Sequence, residues 1–113
     1  MTKFQFDSAR EAEATRAFLV TVAVGRERFF DAGEELTELV KSDAMEPVGL
    51  IQARRDKPDP ATYLGSGKVE EIKALAKGAR ADCIVFDAAL SAAQQRNIEK
   101  AVGIEVLDRT NLI

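Results

Sequence analysis

The stretch of sequence best suited to chemistry is residues 64–69, LGSGKV. Glycines let main-chain amides approach an anion closely, and the N-terminus of a helix adds a favourable partial positive charge. Lys68 would complete such a phosphate site. A nucleotide-binding phosphate loop, however, requires Gly-x-x-x-x-Gly-Lys followed by Ser or Thr, directly after a buried strand. Thr62 stands at the first glycine position and Val69 lacks a hydroxyl, so triphosphate hydrolysis is not indicated. The stretch is either a plain junction between loop and helix, or a contact for RNA phosphate or, weakly, for a nucleotide.

Basic residues precede and enter this stretch. The whole chain is acidic, with 16 Lys and Arg against 19 Asp and Glu and a net charge of −3, so bulk charge does not indicate a nucleic-acid module. Between residues 54 and 68 the balance is reversed, which is typical either of a solvated loop or of a tip that contacts phosphate. The candidate phosphate-binding or nucleic-acid-binding residues are Arg54, Arg55, Lys57, Gly65, Ser66, Gly67 and Lys68.

Residue types that are rare or absent exclude several classes of protein. One cysteine precludes an internal disulfide, and the lack of histidine removes zinc sites and histidine-based catalysis. Cys83 lies in an apolar run and is expected to be a small core residue. No run of about 20 apolar residues predicts a membrane helix, and no signal peptide is evident, so we expect a cytoplasmic location.

The hydrophobic pattern predicts four strands alternating with three helices. Residues 17–24, AFLVTVAV, form an almost unbroken apolar and β-branched run, which is typical of a strand buried on both faces of a parallel sheet. The predicted strands are 17–24, 48–53, 83–86 and 104–107, and the predicted helices are 31–42, 68–77 and 91–101. This alternation predicts an α/β fold, a single domain over residues 17–113 with a mostly parallel four-stranded sheet of βαβ units flanked by helices. Residues 1–16 are expected to form a loosely ordered N-terminal segment, with a turn of helix at 8–15.

Capping residues predict where the second and third helices begin or end. Gly78 and Gly103 are expected to cap the second and third helices, and Ser91 with Gln94 forms a capping-box pattern. The third helix carries a polar patch that is either a solvated face or a partner contact, comprising Gln94, Gln95, Arg96 and Asn97. Asp87 follows a predicted strand and is either a functional carboxylate or part of a turn. Asp108 and Arg109 form either a surface salt bridge or a docking point.

Several stretches together resemble the N-terminal domain of the HflX GTPases. They are residues 54–72, RRDKPDPATYLGSGKVEEI; 85–87, VFD; 90–100, LSAAQQRNIEK; and 106–110, VLDRT. The resemblance extends from about Phe18 to the last residue. Ala92 stands where a proline is common in the family, a small departure because proline is merely favoured at the first helical position.

The resemblance also implies a function and partners, which the hydrophobic pattern alone does not indicate. HflX proteins are GTPases that associate with the large ribosomal subunit and help to rescue or split stalled ribosomes, notably under heat stress. Their N-terminal α/β domain precedes a helical hairpin and the GTPase domain, contacts ribosomal RNA and modulates nucleotide turnover, and some members are described as using ATP through it. The implied partners are therefore the RNA of the large subunit and the parent's own helical and GTPase domains.

The 113 residues contain no complete phosphate loop, no Asp-x-x-Gly switch and no Asn-Lys-x-Asp guanine-reading motif. We therefore expect an excised N-terminal domain without enzymatic activity or a cofactor of its own, with GTP and magnesium bound by the parent's GTPase domain. The expected function is ribosome docking and regulation. Two alternatives stay open: an adenine-nucleotide-binding module at Gly65–Lys68, and a purely intramolecular regulator whose face at 94–100 packs on the rest of the parent.

Overall fold

Four apolar runs and three amphipathic segments build one sheet covered by helices on both faces. The computed structural model describes residues 15–25 and 32–109. The elements in chain order are β1 (Thr15–Val24), α1 (Ala32–Ser42), β2 (Met45–Arg55), α2 (Ser66–Gly78), β3 (Cys83–Asp87), α3 (Ala92–Val102) and β4 (Glu105–Asp108). Every pairing in the sheet is parallel and the strand order is β2-β1-β3-β4, so the predicted fold class is confirmed.

The alternation of side chains along the central strand β1 divides the core into two clusters. Ala17 and Leu19 face α1, where they join Leu36, Val40, Met45, Cys83 and Val85. Phe18 and Val20 face α2 and α3, where they join a larger cluster that includes Leu64, Val69, Ile72, Ile84, Phe86, Ile98 and Val106. Burial on both faces explains why the β1 run is apolar without alternation. No helix among the residues described here is long and apolar enough to cross a membrane.

The buried Cys83 lies in the first of these clusters, as the sequence predicts. Burial is the main cause that raises the pKa of its thiol to about 11, and the nearby carboxylates of Glu105 and Asp82 add to the effect. The thiol therefore stays neutral in the folded chain at physiological pH. Its contribution to stability is complete below the pKa of an exposed thiol and is lost as the pH rises towards 11.

The boundaries of the central strand β1 and of the edge strand β2 differ from those that the sequence predicts. β1 begins at Thr15, because Thr15 and Arg16 pair with Met45 and Glu46 of β2. The Arg16 guanidinium also donates to the carbonyls of Ala79 (2.8 Å) and Arg80 (3.0 Å). The predicted helical turn at 8–15 otherwise lies outside the described residues. β2 begins at Met45 and includes Pro47. An edge strand tolerates a proline because its outer side needs no amide donor.

The second helix ends differently from the prediction. Gly78 is its last residue and not its cap, and the left-handed residue is Arg80, with φ of 56°. The amide of Ala81 donates to the carbonyl of Ala76 (3.0 Å) and the amide of Arg80 to that of Lys77 (3.1 Å), which is the Schellman pattern. The contacts from Arg16 to the carbonyls of residues 79 and 80 hold this unusual cap. The capping box at Ser91 and the left-handed cap at Gly103 are confirmed.

The apolar stripe of α2 generates a stability prediction with an internal control. Ile72 is 1% exposed and Leu75 is 44% exposed on the same helix. We expect Ile72→Ala to lower the free energy of unfolding by about 2–5 kcal/mol, because it leaves a cavity in the larger cluster. Leu75→Ala removes a side chain of similar size and should change it by less than about 0.5 kcal/mol. Urea unfolding of both variants measures this, and equal losses would contradict the assignment of the buried face.

Candidate functional site

The candidate phosphate-binding residues converge where β2 ends and α2 begins. Arg54 and Arg55 close β2 in register with Ala23 and Val24 of the central strand. The Arg54 guanidinium donates to the carbonyl of Gly25 (2.8 Å), and the amide of Gly25 donates to the carbonyl of Arg55 (2.6 Å). Both arginines are therefore anchored to the carboxyl end of β1. We call residues 54–65, which comprise the two arginines and the loop that follows them, the basic loop.

The basic loop folds around the carboxylate of Asp59. Its Oδ1 accepts hydrogen bonds from the amides of Ala61 (2.7 Å) and Thr62 (3.0 Å), and the main chains of Asp59 and Tyr63 donate to each other at 2.8 Å. The amides of Thr62 and Ala61, with a smaller contribution from Arg55, lower the pKa of this carboxyl below its usual value. A lowered pKa means that the turn is stabilised above the carboxyl's ordinary pKa and loses that stabilisation as the pH falls through the lowered one.

Arg55 ties the far end of the basic loop back to β2. Its Nη1 donates to the carbonyl of Leu64 (3.0 Å), and its Nε donates to the carbonyl of Lys57 (3.4 Å). Gly65 follows with φ of 86° and ψ of 158°, a conformation accessible essentially only to glycine. A Cβ atom there would also lie 2.9 Å from Nη1 of Arg55. The sequence therefore needs glycine at 65 for its backbone and for the close approach of the guanidinium.

The N-terminus of α2 presents main-chain donors beside these arginines. The amide of Gly65 is already bonded to the Thr62 hydroxyl (3.1 Å), so it is not open to a ligand. The amides of Ser66, Gly67 and Lys68 find no acceptor among the described residues, as expected for the first turn of a helix. The Lys68 ammonium lies 2.8 Å from the Glu71 carboxylate and is one-third exposed.

Two surface grooves meet at the arginines. The first has a volume of about 490 Å³ and is lined by Ala53, Arg54, Arg55, Asp59, Leu64, Gly65, Ser66, Gly67 and Lys68. The second, of about 710 Å³, is lined by Arg54, Arg55, Asp56 and Lys57. All seven candidate residues thus line one of two adjoining grooves that share Arg54 and Arg55. Lys57 is exposed in the second groove.

These residues do not fit a nucleoside triphosphate with its magnesium ion. β2 ends at Arg55, so a loop of ten residues separates it from α2, whereas a phosphate loop follows its strand directly. Val69 is buried and apolar, and Lys68 is paired with Glu71. No group of three or more metal-ligating side chains occurs within residues 15–25 and 32–109. We therefore assign no triphosphate chemistry to this loop.

The polar patch of α3 is mostly engaged within the chain. Gln94 donates to the carbonyl of Asp59 (2.8 Å), and Asn97 donates to the carbonyl of Ala61 (2.9 Å). Gln95 donates to the carbonyl of Val106 (2.6 Å), on the other side of the helix. Of the four residues that the sequence expects to be exposed, only Arg96 is exposed, and the other three are partly buried.

The remaining candidate carboxylates belong to the sheet's carboxyl edge. Asp87 is paired with Arg109 at 2.8 Å. Asp108 is buried and accepts a hydrogen bond from the amide of Leu90 (2.9 Å).

Two residues central to the loop were not singled out from the sequence. Asp59 and Thr62 build the turn, and the signal that could have revealed them is an aspartate before Pro60 with a threonine three residues on, a pattern that favours a side-chain-stabilised turn. The contacts of Gln94 and Asn97 to the loop span 35 and 36 residues, and no local pattern predicts them.

The geometry defines the class of protein first: a parallel α/β domain that carries a basic loop, braced by its own side chains, at the end of an edge strand. The chain belongs to the family described as GTP-binding GTPase N-terminal, whose sequence model matches residues 31–113. It is similar to proteins named GTPase HflX. It is 37% identical over 106 residues to that of Alkalihalophilus pseudofirmus, which covers 92% of this chain and 25% of the relative.

Two further relatives carry the same name. The chain is 42% identical over 99 residues to GTPase HflX of Lacrimispora saccharolytica and 36% identical over 98 residues to that of Escherichia coli, covering 87% of this chain and 23% of the relative in each case. The chain thus spans about a quarter of the length of these curated relatives. Among solved structures, a glycine-to-cysteine mutant of arylmalonate decarboxylase superposes on 91% of this chain and 44% of its own, with a TM-score of 0.44 and 16% identity, a similarity too weak to support an inference.

Two glycines of this site give a matched prediction. We expect Gly65→Ala to destabilise the fold by about 1–3 kcal/mol, because alanine is strained at φ of 86° and its Cβ would displace Arg55. Gly67→Ala places a methyl group where no atom lies within 4 Å, inside a helix, and should be neutral or stabilising by up to about 1 kcal/mol. Thermal unfolding compares the two. An equal effect would contradict the geometry described for Gly65.

Proposed function

We propose that this domain docks onto RNA of the large ribosomal subunit as the N-terminal domain of an HflX-type GTPase, and that it contacts RNA through phosphate groups. The observation that carries the proposal is the convergence of Arg54, Arg55 and Lys68 on one groove, with Lys57 in the groove beside it. The open amides at the start of α2 lie at the same place. Guanidinium, ammonium and helix amides are the donors that phosphate oxygens favour.

The donor set indicates positioning rather than sequence reading. Contacts to phosphate fix the register and orientation of a protein on a nucleic acid, whereas sequence is read from base edges. We expect binding through the groups that line the two grooves, because exposed cationic side chains and open helix amides lie together there. We therefore assign the contact to the basic loop and the first turn of α2, and we expect its affinity to fall steeply with salt.

For the parent protein we propose GTP hydrolysis, because the relatives that match this chain are named GTPase HflX. GTP and magnesium would be bound by a GTPase domain outside these 113 residues, since the residues here do not fit them. The domain would act beside the parent's helical and GTPase domains in the cytoplasm, with no chemistry of its own, and would regulate nucleotide turnover when it docks.

The adenine-nucleotide alternative at Gly65–Lys68 has less support. Lys68 must leave Glu71 to reach a phosphate, the amide of Gly65 is used by Thr62, and Val69 supplies no magnesium ligand. RNA docking does not require any of these groups to bind a single phosphate tightly, because several weaker contacts add up along the backbone. The intramolecular alternative is supported mainly by Arg96, the exposed member of the α3 patch.

Co-sedimentation with purified ribosomal subunits at low and physiological salt tests the proposal. We expect the chain to pellet with large subunits only. The plot of log affinity against log salt has a negative slope, and Lys57→Ala and Lys68→Ala should each make it shallower by about one. Lys73→Ala, which removes an exposed charge from a later turn of α2, is the matched control and should leave the slope unchanged. Failure to pellet with large subunits at low salt would contradict docking by this domain.

A further inference from the structure

One helix, α3, holds two separate parts of the chain with side-chain hydrogen bonds. Gln94 and Asn97, three residues apart, donate to the carbonyls of Asp59 (2.8 Å) and Ala61 (2.9 Å) in the basic loop. On its other side, Gln95 donates to the carbonyl of Val106 (2.6 Å). Residues three apart on a helix lie on one face, so the two contacts to the loop form a single clamp around Pro60.

The second set of contacts shows what a purely structural bond on this helix does. Glu99 accepts from the amide of Val106 (2.9 Å), while Gln95 donates to its carbonyl, so the two side chains satisfy both main-chain groups of one residue in β4. β4 is the edge strand of the sheet, and such contacts occupy groups that would otherwise be open to another strand. Gln95 therefore supports the edge of the sheet, and within residues 15–25 and 32–109 its hydrogen bond goes to β4 and not to the basic loop.

Arg55 holds the two ends of the loop that follows it, and the clamp holds the middle of that loop. The carboxylate of Asp59 binds the amides of Ala61 and Thr62, and Thr62 binds the amide of Gly65. These bonds shape the turn but do not tie its tip to the body of the domain. Among the described residues, the bonds from Gln94 and Asn97 make that connection at the carbonyls on either side of Pro60.

We infer that Gln94 and Asn97 are positioning residues for the docking surface: they hold the basic loop in the conformation that presents its cationic groups and the first turn of α2 together. This inference rests on the proposed function for its consequence, RNA binding, but the positioning itself is a property of the free chain. Two residues of the polar patch on α3 thus form hydrogen bonds within the chain, to a loop that is distant in sequence.

Hydrogen exchange of the free 113-residue chain tests the positioning. Asn97→Ala should speed exchange of the amides of Thr62 and Tyr63 about tenfold, the effect of losing one intramolecular hydrogen bond from the closed loop. Gln94→Glu should act likewise, since the carboxylate keeps the capping box with Ser91 but cannot donate to the loop. Gln95→Ala, which removes an equivalent amide donor from the same helix, should leave both amides unchanged. Equal exchange in Asn97→Ala and Gln95→Ala, whether raised or unaltered, would overturn the inference.

Binding to large ribosomal subunits supplies the second readout. Asn97→Ala should weaken binding about tenfold without changing the salt slope, because the number of phosphate contacts is kept while the loop must be ordered on binding. A salt slope that becomes shallower by about one would instead make Asn97 a direct contact and overturn the positioning role. If the unaltered chain does not bind large subunits, the proposed function fails, and the exchange measurement still decides whether the clamp exists.

Discussion

The segment between β2 and α2 must satisfy its main-chain polar groups without a helix or a sheet, and the candidate site depends on how it does so. It uses short-range bonds around Asp59, one guanidinium from Arg55 and two amides from α3. Arg55 therefore stabilises the loop in addition to its proposed contact with phosphate, because its guanidinium donates to the carbonyls of residues 57 and 64. A loop that is ordered in advance avoids paying the conformational entropy of ordering at the moment of binding.

The layering of the domain explains why the brace can come from α3. α2 and α3 cover the same face of the sheet and share the larger apolar cluster, so the loop that enters α2 passes beside the first turns of α3. α1 covers the opposite face with its own cluster. The hydroxyl of Thr62 accepts a hydrogen bond from the amide of Gly65, which directly precedes α2, and this bond connects the clamped turn to the helix. Packing in the core thereby sets the relative position of cationic side chains and helix amides at the surface.

Local sequence was sufficient where local physics decides the structure. The apolar run at 17–24, the capping box at Ser91 and the left-handed Gly103 each depend on neighbouring residues, and all were predicted. The predicted cap of α2 at Gly78 was wrong: the left-handed residue is Arg80, and its carbonyl accepts a hydrogen bond from Arg16, which is distant in sequence. Strand order and the clamp on the basic loop could not be predicted either, since both join segments that no spacing relates. The residues of the candidate site came from composition and family resemblance, and their mutual geometry came from the structure.

Backbone order of the basic loop in the free chain is the most direct test of this account. Amide ¹⁵N relaxation gives an order parameter for each non-proline residue from 57 to 65 and for the helices that flank them. A preformed loop predicts values of about 0.85 for Asp59, Thr62 and Tyr63, equal to those of α2 and α3. Values below about 0.6 in the loop, beside rigid helices, would show that the docking surface is not formed before binding and would contradict the central claim.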